Sequence, residues 1–202
     1  LCLIAKDEAT MLPACLASVQ GVVDELVVVD TGSSDATPEL ARQAGARVVE
    51  HPWSDDFAAA RNTALAHASG DWILLLDADE RLASGAGEAI RQAILRDDID
   101  CLFLPLHDAS RLDAPEEEIL DGRARFGSPT LLPRVFRNVG DLRWEGIVHE
   151  HVDAWFEGRQ DRVAIIDAPI LHLGAVPELR LARGKDRRNL ALLVRACAQG
   201  EP

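Results

Sequence analysis

The sequence predicts an α/β fold built on a mostly parallel sheet. Short apolar runs of strand length alternate with helical patterns through the first half of the chain, which is typical of parallel strands joined by right-handed crossovers. The densest run, Glu25–Asp30 (ELVVVD), is rich in β-branched residues and suits a central strand that is buried on both faces. Polar residues follow several of these runs, and ligands of such sheets bind beyond the carboxyl ends of the strands. We therefore expect the functional site at that edge of the sheet.

Five strands and four helices are predicted in the first half. The strands lie at Leu1–Lys6, Glu25–Asp30, Ala46–Glu50, Trp72–Leu76 and Cys101–Leu106. The helices lie at Glu8–Gln20, from Thr37 onward, at Asp55–Ser69 and at Gly87–Arg96. Pro38 suits the first turn of the second helix. The third helix has Asp55 or Asp56 at its N-cap, and Gly70 ends it.

The pattern changes after residue 107. Asp108–Ser128 is polar and is predicted to be a loop or excursion. Leu131–Asn138, Arg143–Val152 and Arg162–Asp167 are predicted to be short antiparallel strands. Glu178–Ala198 has the spacing of a helix, and this last part of the chain is locally basic. The second half is therefore expected to differ in topology from the first.

Composition and charge exclude several classes of protein. The 202 residues carry 21 Lys and Arg against 34 Asp and Glu, and the net charge of −13 would repel a nucleic acid polymer. No apolar run approaches the ~18–20 residues of a transmembrane helix. The four cysteines are widely spaced, which argues against a zinc knuckle or a disulfide framework and for a reducing compartment. The chain has no initiator methionine and no basic leader, so we expect part of a longer intracellular protein.

Asp77-Ala78-Asp79 is the most specific local pattern. It follows the apolar run WILLL, so both carboxylates leave the end of a predicted strand. Two carboxylates at this spacing can converge on one hard cation, Mg²⁺ or Mn²⁺, which would in turn hold a diphosphate. The alternative is a solvated acidic turn.

The ends of the first two strands also carry polar residues. Asp30 could accept a hydrogen bond from the N3–H of a pyrimidine or from a ribose hydroxyl, and the small residues Gly32 and Ser33 would let a flat base approach the backbone. Asp35 is interpreted as a cap of the following helix. Asp7-Glu8 is open to two interpretations, a helix cap or a ribose contact.

Arg61 lies inside the third predicted helix. It could pair with a pyrophosphate, with Asp77 or with Asp79, or it could lie on the solvated face of the helix. Alanines surround it in the sequence, and they imply close packing of this helix on the sheet. Such packing would bring Arg61 near the carboxylates.

A second group of functional residue types is His149-Glu150-His151. In a strand the two histidines would share one face and Glu150 would take the other. Glu150 could serve as a general base for an acceptor hydroxyl, whereas two histidines on one strand face are weak evidence for zinc. His172 is interpreted either as a metal ligand or phosphate donor, or as a hydrogen-bonded core residue.

Longer strings carry a family resemblance. LCLIAKDEATMLPACLASVQGVVDELVVVDTGSSDAT resembles the opening of family 2 glycosyltransferases. HPWSDDFAAARNTALAHASGDWILLLDADE, VFRN, RWEGIVHEHV and ILHLG resemble a bacterial subgroup that includes lipopolysaccharide-core glucosyltransferases, peptide S-glycosyltransferases and enzymes with tetratricopeptide repeats. The resemblance implies a GT-A fold, which is Rossmann-like, with three layers and a mixed, mainly parallel sheet. It also implies a nucleotide-diphosphate sugar donor, in particular a UDP-sugar, and inversion at the anomeric carbon.

The resemblance extends to individual residues. The nucleotide-sugar is expected to contact Ala5, Asp7, Glu8, Asp30, Gly32, Ser33, Arg61, Asp77 and Ala78. Asp79 would bind Mn²⁺ or Mg²⁺, with Asp77 and His172 as further ligands, and Glu150 would deprotonate the acceptor. Relatives often have Asn at the position of Asp7 and Tyr at that of Leu173. The second difference removes a hydroxyl or a stacking ring near His172.

The expected organisation is one catalytic domain over residues 1–202. Its parts would be a nucleotide-sugar-binding half (1–107), an acceptor-side half (108–176) and a C-terminal helix (177–202). The acceptor would be a glycan, a lipid-linked molecule or a peptide in bacterial cell envelope biosynthesis. We expect a cytoplasmic protein, either free or peripheral at the inner membrane, with a C-terminal repeat domain in the full-length chain.

Other functions compete for the same residues. A haloacid dehalogenase-like phosphatase also places Asp-X-Asp after an apolar strand, but Thr or Val usually follows its second Asp, and Glu80 follows here. A nucleotidyltransferase shares the fold and the metal chemistry, but usually opens with a Gly-rich loop that carries Arg and Lys. A Rossmann dehydrogenase would need G-x-G-x-x-G, which is absent. A catalytically inactive nucleotide-sugar-binding domain is the non-enzymatic alternative.

Overall fold

The computed structural model describes the backbone of residues 1–183 and 185–199, and the side chains of these residues except 182–188 and 198–199. The strands are β1 (Cys2–Ala5), β2 (Val27–Asp30), β3 (Arg47–Glu50), β4 (Trp72–Leu74), β5 (Glu80–Leu82), β6 (Cys101–Asp108), β7 (Thr130–Arg137), β8 (Val163–Ile165) and β9 (Ile170–His172). The helices are α1 (Leu12–Ser18), α2 (Thr37–Gln43), α3 (Phe57–His67), α4 (Ala86–Ala93), α5 (Glu116–Leu120), α6 (Asp153–Phe156), α7 (Pro177–Arg183) and α8 (Lys185–Gln199), with a short 3₁₀ helix at Gln160–Arg162.

The strands form a mixed sheet, and its first part is parallel as predicted. β1, β2 and β3 pair in parallel, and their register aligns Ala5 with Asp30 at the carboxyl ends. The remaining strands follow the order β4-β7-β6-β9-β5, with β8 also paired to β6. A bridge between Cys2 and Leu75 connects the two groups of strands. β7 lies between β4 and β6 and is antiparallel to both, so β4 and β6 are not neighbours in the sheet.

Residues beyond 107 depart from several predictions. Arg143–Val152 is not a strand: only Glu145 and His151 form an isolated bridge, and positive φ angles at Gly146 and His149 break the extended conformation. The prediction that His149 and His151 share a strand face is therefore wrong. β8 forms where a strand was predicted, but it pairs in parallel with β6.

Further differences concern short or interrupted elements. α5 lies inside the segment predicted to be a loop, and β5 and β9 were not predicted because three residues are too few to show a pattern. The last predicted helix is two helices, α7 and α8. The side chains of Arg183, Lys185, Arg187 and Arg188, which make this part basic, lie outside the described residues. None of the helices in the described part of the chain is long and apolar enough to cross a membrane.

Local sequence explains how the helices next to the site begin. Asp56 caps α3 by accepting a hydrogen bond from the N–H of Ala59 (2.8 Å). Asp35 accepts one from the N–H of Thr37, the first residue of α2 (2.9 Å), but Ala36 and not Asp35 occupies the N-cap position. On α3, Ala58, Ala60 and Ala64 are buried, and these small side chains let the helix pack closely on β1 and β2. This packing places the polar face of α3 beside the strand ends.

Two apolar clusters cover the two faces of the sheet. Val27 and Val29 of β2 pack in one cluster with Ile73, whereas Val28 packs in the other with Leu74. The alternation follows from the two-residue period of a strand. Because both faces are covered, the strand ends are the part of the sheet where a ligand can approach.

We predict that Phe136→Ala lowers the free energy of unfolding by about 3–5 kcal/mol, measured by urea denaturation. Phe136 is completely buried, and its ring meets Trp155 edge-to-face at 5.3 Å. The matched control is Phe126→Ala, because Phe126 is 46% exposed, and we expect a change within about 0.5 kcal/mol. An equal decrease in the free energy of unfolding of the two variants would contradict this description of the core.

Candidate functional site

A cavity of about 390 Å³ opens at the carboxyl ends of β1 and β4. It brings together these predicted site residues: Ala5, Glu8, Arg61, Asp77, Ala78, Asp79, Glu150 and His172. The wall formed by the described residues does not include Asp7, Asp30, Gly32 or Ser33. The wall also includes residues that were not predicted to belong to the site, among them Thr31, Trp53, Phe57 and Asn189. The structure therefore gathers most of the predicted site around one space.

The four predicted residues outside the cavity hold two loops together. Asp30 accepts hydrogen bonds at Oδ2 from the N–H groups of Gly32 and Ser33 (3.1 Å each). Asp7 accepts two at Oδ1 from Ser34, from its N–H (2.7 Å) and its hydroxyl (3.0 Å). The N–H of Asp7 donates to the Ser33 hydroxyl (2.9 Å). Oδ1 of Asp30 is buried without a hydrogen-bond partner among the described residues.

Arg61 joins two carboxylates that line the cavity, those of Asp77 and Glu150. Its Nη2 donates to Oδ1 of Asp77 (3.0 Å), and its Nε donates to Oε1 of Glu150 (2.5 Å). The guanidinium also lies 5.2 Å from the ring centre of Trp144. This arrangement confirms the predicted pairing with Asp77 and excludes a solvated position for Arg61.

Asn62 holds the loop that carries Glu150. Its side chain forms two hydrogen bonds with the backbone of Trp144, one from Nδ2 to the carbonyl (2.9 Å) and one from the Trp144 N–H to Oδ1 (2.8 Å). α3 therefore fixes the 143–152 loop through two adjacent residues, Arg61 and Asn62. The loop needs this support because it has no strand ladder of its own.

The opposite charges of Asp77 and Arg61 stabilise each other. Burial acts to raise the pKa of Asp77, but the charges of Arg61 and Arg134 and the hydrogen bond from Arg61 hold it well below its usual range. Burial acts to lower the pKa of Arg61, but Asp77 and Glu150 outweigh this effect and raise it. Asp77 and Arg61 are therefore an ion pair at neutral pH.

Glu80 stabilises the Asp77–Asp79 turn, a role that the sequence did not reveal. Its carboxylate accepts a hydrogen bond from the N–H of Asp77 (2.9 Å) and pairs with Nη2 of Arg134 (2.5 Å). Glu80 is almost completely buried, and burial raises its pKa despite the charge of Arg134. The only sequence signal was its position directly after Asp79. Its partner lies 54 residues away in the sequence.

The side chains of Asp79 and His172 lie close to each other next to the Asp77–Asp79 turn. Oδ1 of Asp79 lies 3.8 Å from Nε2 of His172, and the Asp79 carbonyl accepts a hydrogen bond from the N–H of Leu173 (2.9 Å). Burial acts to lower the pKa of His172, but a hydrogen bond to Asp108 and the charge of Asp79 raise it above its usual value.

Asp79 and His172, which meet beside Gly174, carry donor atoms of the types that a divalent cation takes, a carboxylate oxygen and an imidazole nitrogen. A Cβ added at Gly174 would overlap both Oδ2 of Asp79 and Nε2 of His172, so these two atoms converge on one side of Gly174 and approach it as closely as only a glycine allows. In the described part of the chain, no three His, Cys, Asp or Glu side chains form a complete metal site. One or two protein ligands are sufficient for Mg²⁺ or Mn²⁺ when substrate phosphates and water supply the others.

Comparisons with known proteins agree with this geometry. The model of the family described as Glycosyl transferase family 2 matches residues 1–138. A TPR repeat-containing protein of Synechococcus elongatus is 45% identical over 161 residues, covering 76% of this chain and 35% of the relative. An uncharacterized glycosyltransferase of Rickettsia felis is 34% identical over 118 residues, covering 58% of this chain and 38% of the relative. The chain thus spans about a third of the length of these relatives.

A solved structure shares the fold. Glucosyl-3-phosphoglycerate synthase from Mycobacterium tuberculosis, crystallised in complex with Mn²⁺ and UDP-glucose, superposes with a TM-score of 0.62 at 20% sequence identity. The match covers 97% of this chain and 77% of the synthase. The prediction of a mixed-sheet GT-A fold is confirmed.

We predict that Arg61→Ala lowers the free energy of unfolding by about 3 kcal/mol near neutral pH, because Asp77 and Glu150 lose their partner. The pKa of Asp77 is depressed in the folded state, so the pair stabilises the fold above the usual carboxyl pKa and this contribution is lost as the pH falls. The difference between variant and wild type, measured by urea denaturation, should therefore narrow in acid.

The matched control is Arg42→Ala, which breaks an exposed pair with Glu39 and should cost less than about 1 kcal/mol. An Arg61→Ala loss no larger than that of Arg42→Ala, or one that grows in acid, would contradict the pairing described above.

Proposed function

The chain belongs to glycosyl transferase family 2, and on this basis we propose that it transfers a sugar from a nucleoside-diphosphate donor to an acceptor, with inversion at the anomeric carbon. The observation that carries the proposal is the convergence of Asp77, Asp79 and Glu150 on one cavity at the strand ends. We propose a UDP-sugar as the donor. The UDP-glucose complex of the structurally similar synthase supports this choice.

The donor is proposed to lie along the ends of β1, β2 and β4. Asp30 would receive the base or ribose at the end of β2, beside its register partner Ala5. Asp79 and His172, with Asp77, would hold Mn²⁺ or Mg²⁺, and the cation would neutralise the diphosphate as it leaves. Asp7, Gly32 and Ser33 would act by shaping the two loops rather than by touching the nucleotide.

The acceptor is proposed to enter on the Glu150 side. Oε1 of Glu150 is held by Arg61, so Oε2 would take the proton of the acceptor nucleophile. In a single displacement, the bond from the acceptor atom to C1 forms on one face of the sugar while the bond from C1 to the diphosphate oxygen breaks on the other. The nucleoside diphosphate leaves, and the proton stays on Glu150.

The wider setting is part of the same proposal. Residues 1–107 would bind the nucleotide-sugar, 108–176 would form the acceptor side, and the chain from 177 would follow as a C-terminal helical part. The acceptor would be a glycan, a lipid-linked molecule or a peptide in bacterial cell envelope biosynthesis. A cytoplasmic location, free or peripheral at the inner membrane, suits such a donor. The Synechococcus relative supports a C-terminal repeat domain in the full-length protein.

We predict that the chain hydrolyses at least one member of a panel of sugar nucleotides with Mn²⁺ present, and that Glu150→Gln lowers kcat by about 10²–10⁴-fold. Donor binding should persist in this variant, because the amide retains the shape of the carboxylate. The readouts are release of nucleoside diphosphate and equilibrium binding of UDP.

The matched control is Glu145→Gln, an exposed glutamate on the same loop, which should keep wild-type turnover. Full turnover in Glu150→Gln would assign the base to another residue. Absence of hydrolysis and of UDP binding in the wild type would contradict the proposed transferase.

A further inference from the structure

Asp108 lies at the end of β6 and has no role in the function proposed above. It pairs in register with His172 of the neighbouring parallel strand β9, and Glu80 of β5 pairs with His172 from the other side. Register partners on adjacent strands project from the same face of a sheet. Three strands therefore bring Asp108, His172 and Glu80 together, and the contact joins residues 64 positions apart.

The contact between Asp108 and His172 is short and directional. Oδ1 of Asp108 lies 2.6 Å from Nδ1 of His172. A carboxylate accepts hydrogen bonds, so this nitrogen carries a proton. In the neutral ring the lone pair is then on the other nitrogen, Nε2.

Nε2 of His172 points into the space beside Gly174. Its distance to Oδ1 of Asp79, 3.8 Å, is too long for a hydrogen bond. A Cβ at Gly174 would overlap both Nε2 of His172 and Oδ2 of Asp79, so the two atoms converge on the same side of Gly174. The nitrogen that Asp108 leaves unprotonated is therefore the one that faces the proposed cation position.

A purely stabilising ion pair explains this arrangement less well. The side chain of Asp108 is 37% exposed, and ion pairs with such exposure contribute little to stability. What the geometry does require is that Asp108 orients the imidazole ring of His172 and determines which of its nitrogens carries the proton. Carboxylates that orient metal-bound histidines in this way commonly change metal affinity by about 10–100-fold.

We propose that Asp108 is a positioning residue, which fixes the Nδ1–H tautomer of His172 and turns Nε2 toward the space shared with Asp79. The metal-binding consequence rests on the proposed function, in which Asp79 and His172 hold a divalent cation. The tautomer itself does not depend on that function.

The first test is ¹⁵N NMR of histidine-labelled protein without metal, recorded where the imidazole is neutral. The signal of His172 among the six histidines is assigned with His172→Gln. We expect Nδ1–H in the wild type and a shift toward Nε2–H in Asp108→Ala. Asp108→Asn keeps an acceptor oxygen and should retain Nδ1–H. An unchanged tautomer in Asp108→Ala would overturn the proposal.

The second test is Mn²⁺ affinity without turnover, measured from the EPR signal of the free ion. We expect Asp108→Ala to weaken Mn²⁺ binding by about 10–100-fold. The matched control is Asp113→Ala, which removes an exposed carboxylate, paired only with Arg111 in the described structure, from the segment after β6 and should change neither readout. Equal effects of the two variants would overturn the proposal. If the wild type takes up no Mn²⁺, the metal part of the proposed function fails, and the tautomer alone decides the role of Asp108.

Discussion

The guanidinium of Arg61 is the contact on which the rest of the site depends. It pairs with carboxylates 16 and 89 residues away in the sequence, at the end of β4 and in the 143–152 loop. A largely buried charge is costly unless it is paired, so the three elements are stable only together. The loop has a single isolated bridge and residues with positive φ, so it cannot hold Glu150 in place by itself. The position of Glu150 thus depends on α3 as much as on the sequence of the 143–152 loop.

Much of this edge of the sheet was predictable from the sequence. An apolar run that ends in a carboxylate marks a buried strand and the point where it leaves the core, and this signal placed Asp30, Asp77 and Asp79. The alanines around Arg61 correctly predicted close packing of α3. What the sequence could not show are the partners: Glu80 meets Arg134 and His172 meets Asp108 only because distant strands come into register. The 143–152 segment was wrongly predicted to be a strand because its alternating pattern outweighed Gly146, a residue that readily takes a positive φ, and gave no sign of the positive φ at His149.

The charge distribution is compatible with the proposed anionic donor, although the chain as a whole is acidic. The net charge of −13 would repel a diphosphate, but the carboxylates at the strand ends are not left as bare negative charge. Arg61 and Arg134 neutralise Asp77 and Glu80 within the protein, and Asp79 and His172 are the proposed ligands of the cation. In the proposed function, the cation reverses the local charge at the point where the diphosphate would lie.

A calorimetric titration of UDP into the wild-type chain and into Asp79→Asn, each with and without Mn²⁺, would test the proposed donor site directly. We expect Mn²⁺ to strengthen UDP binding to the wild type, and Asp79→Asn to reduce binding to the metal-free level. Absence of UDP binding, or binding of equal strength in all four titrations, would contradict the claim that these strand-end carboxylates hold a nucleotide donor through a divalent cation.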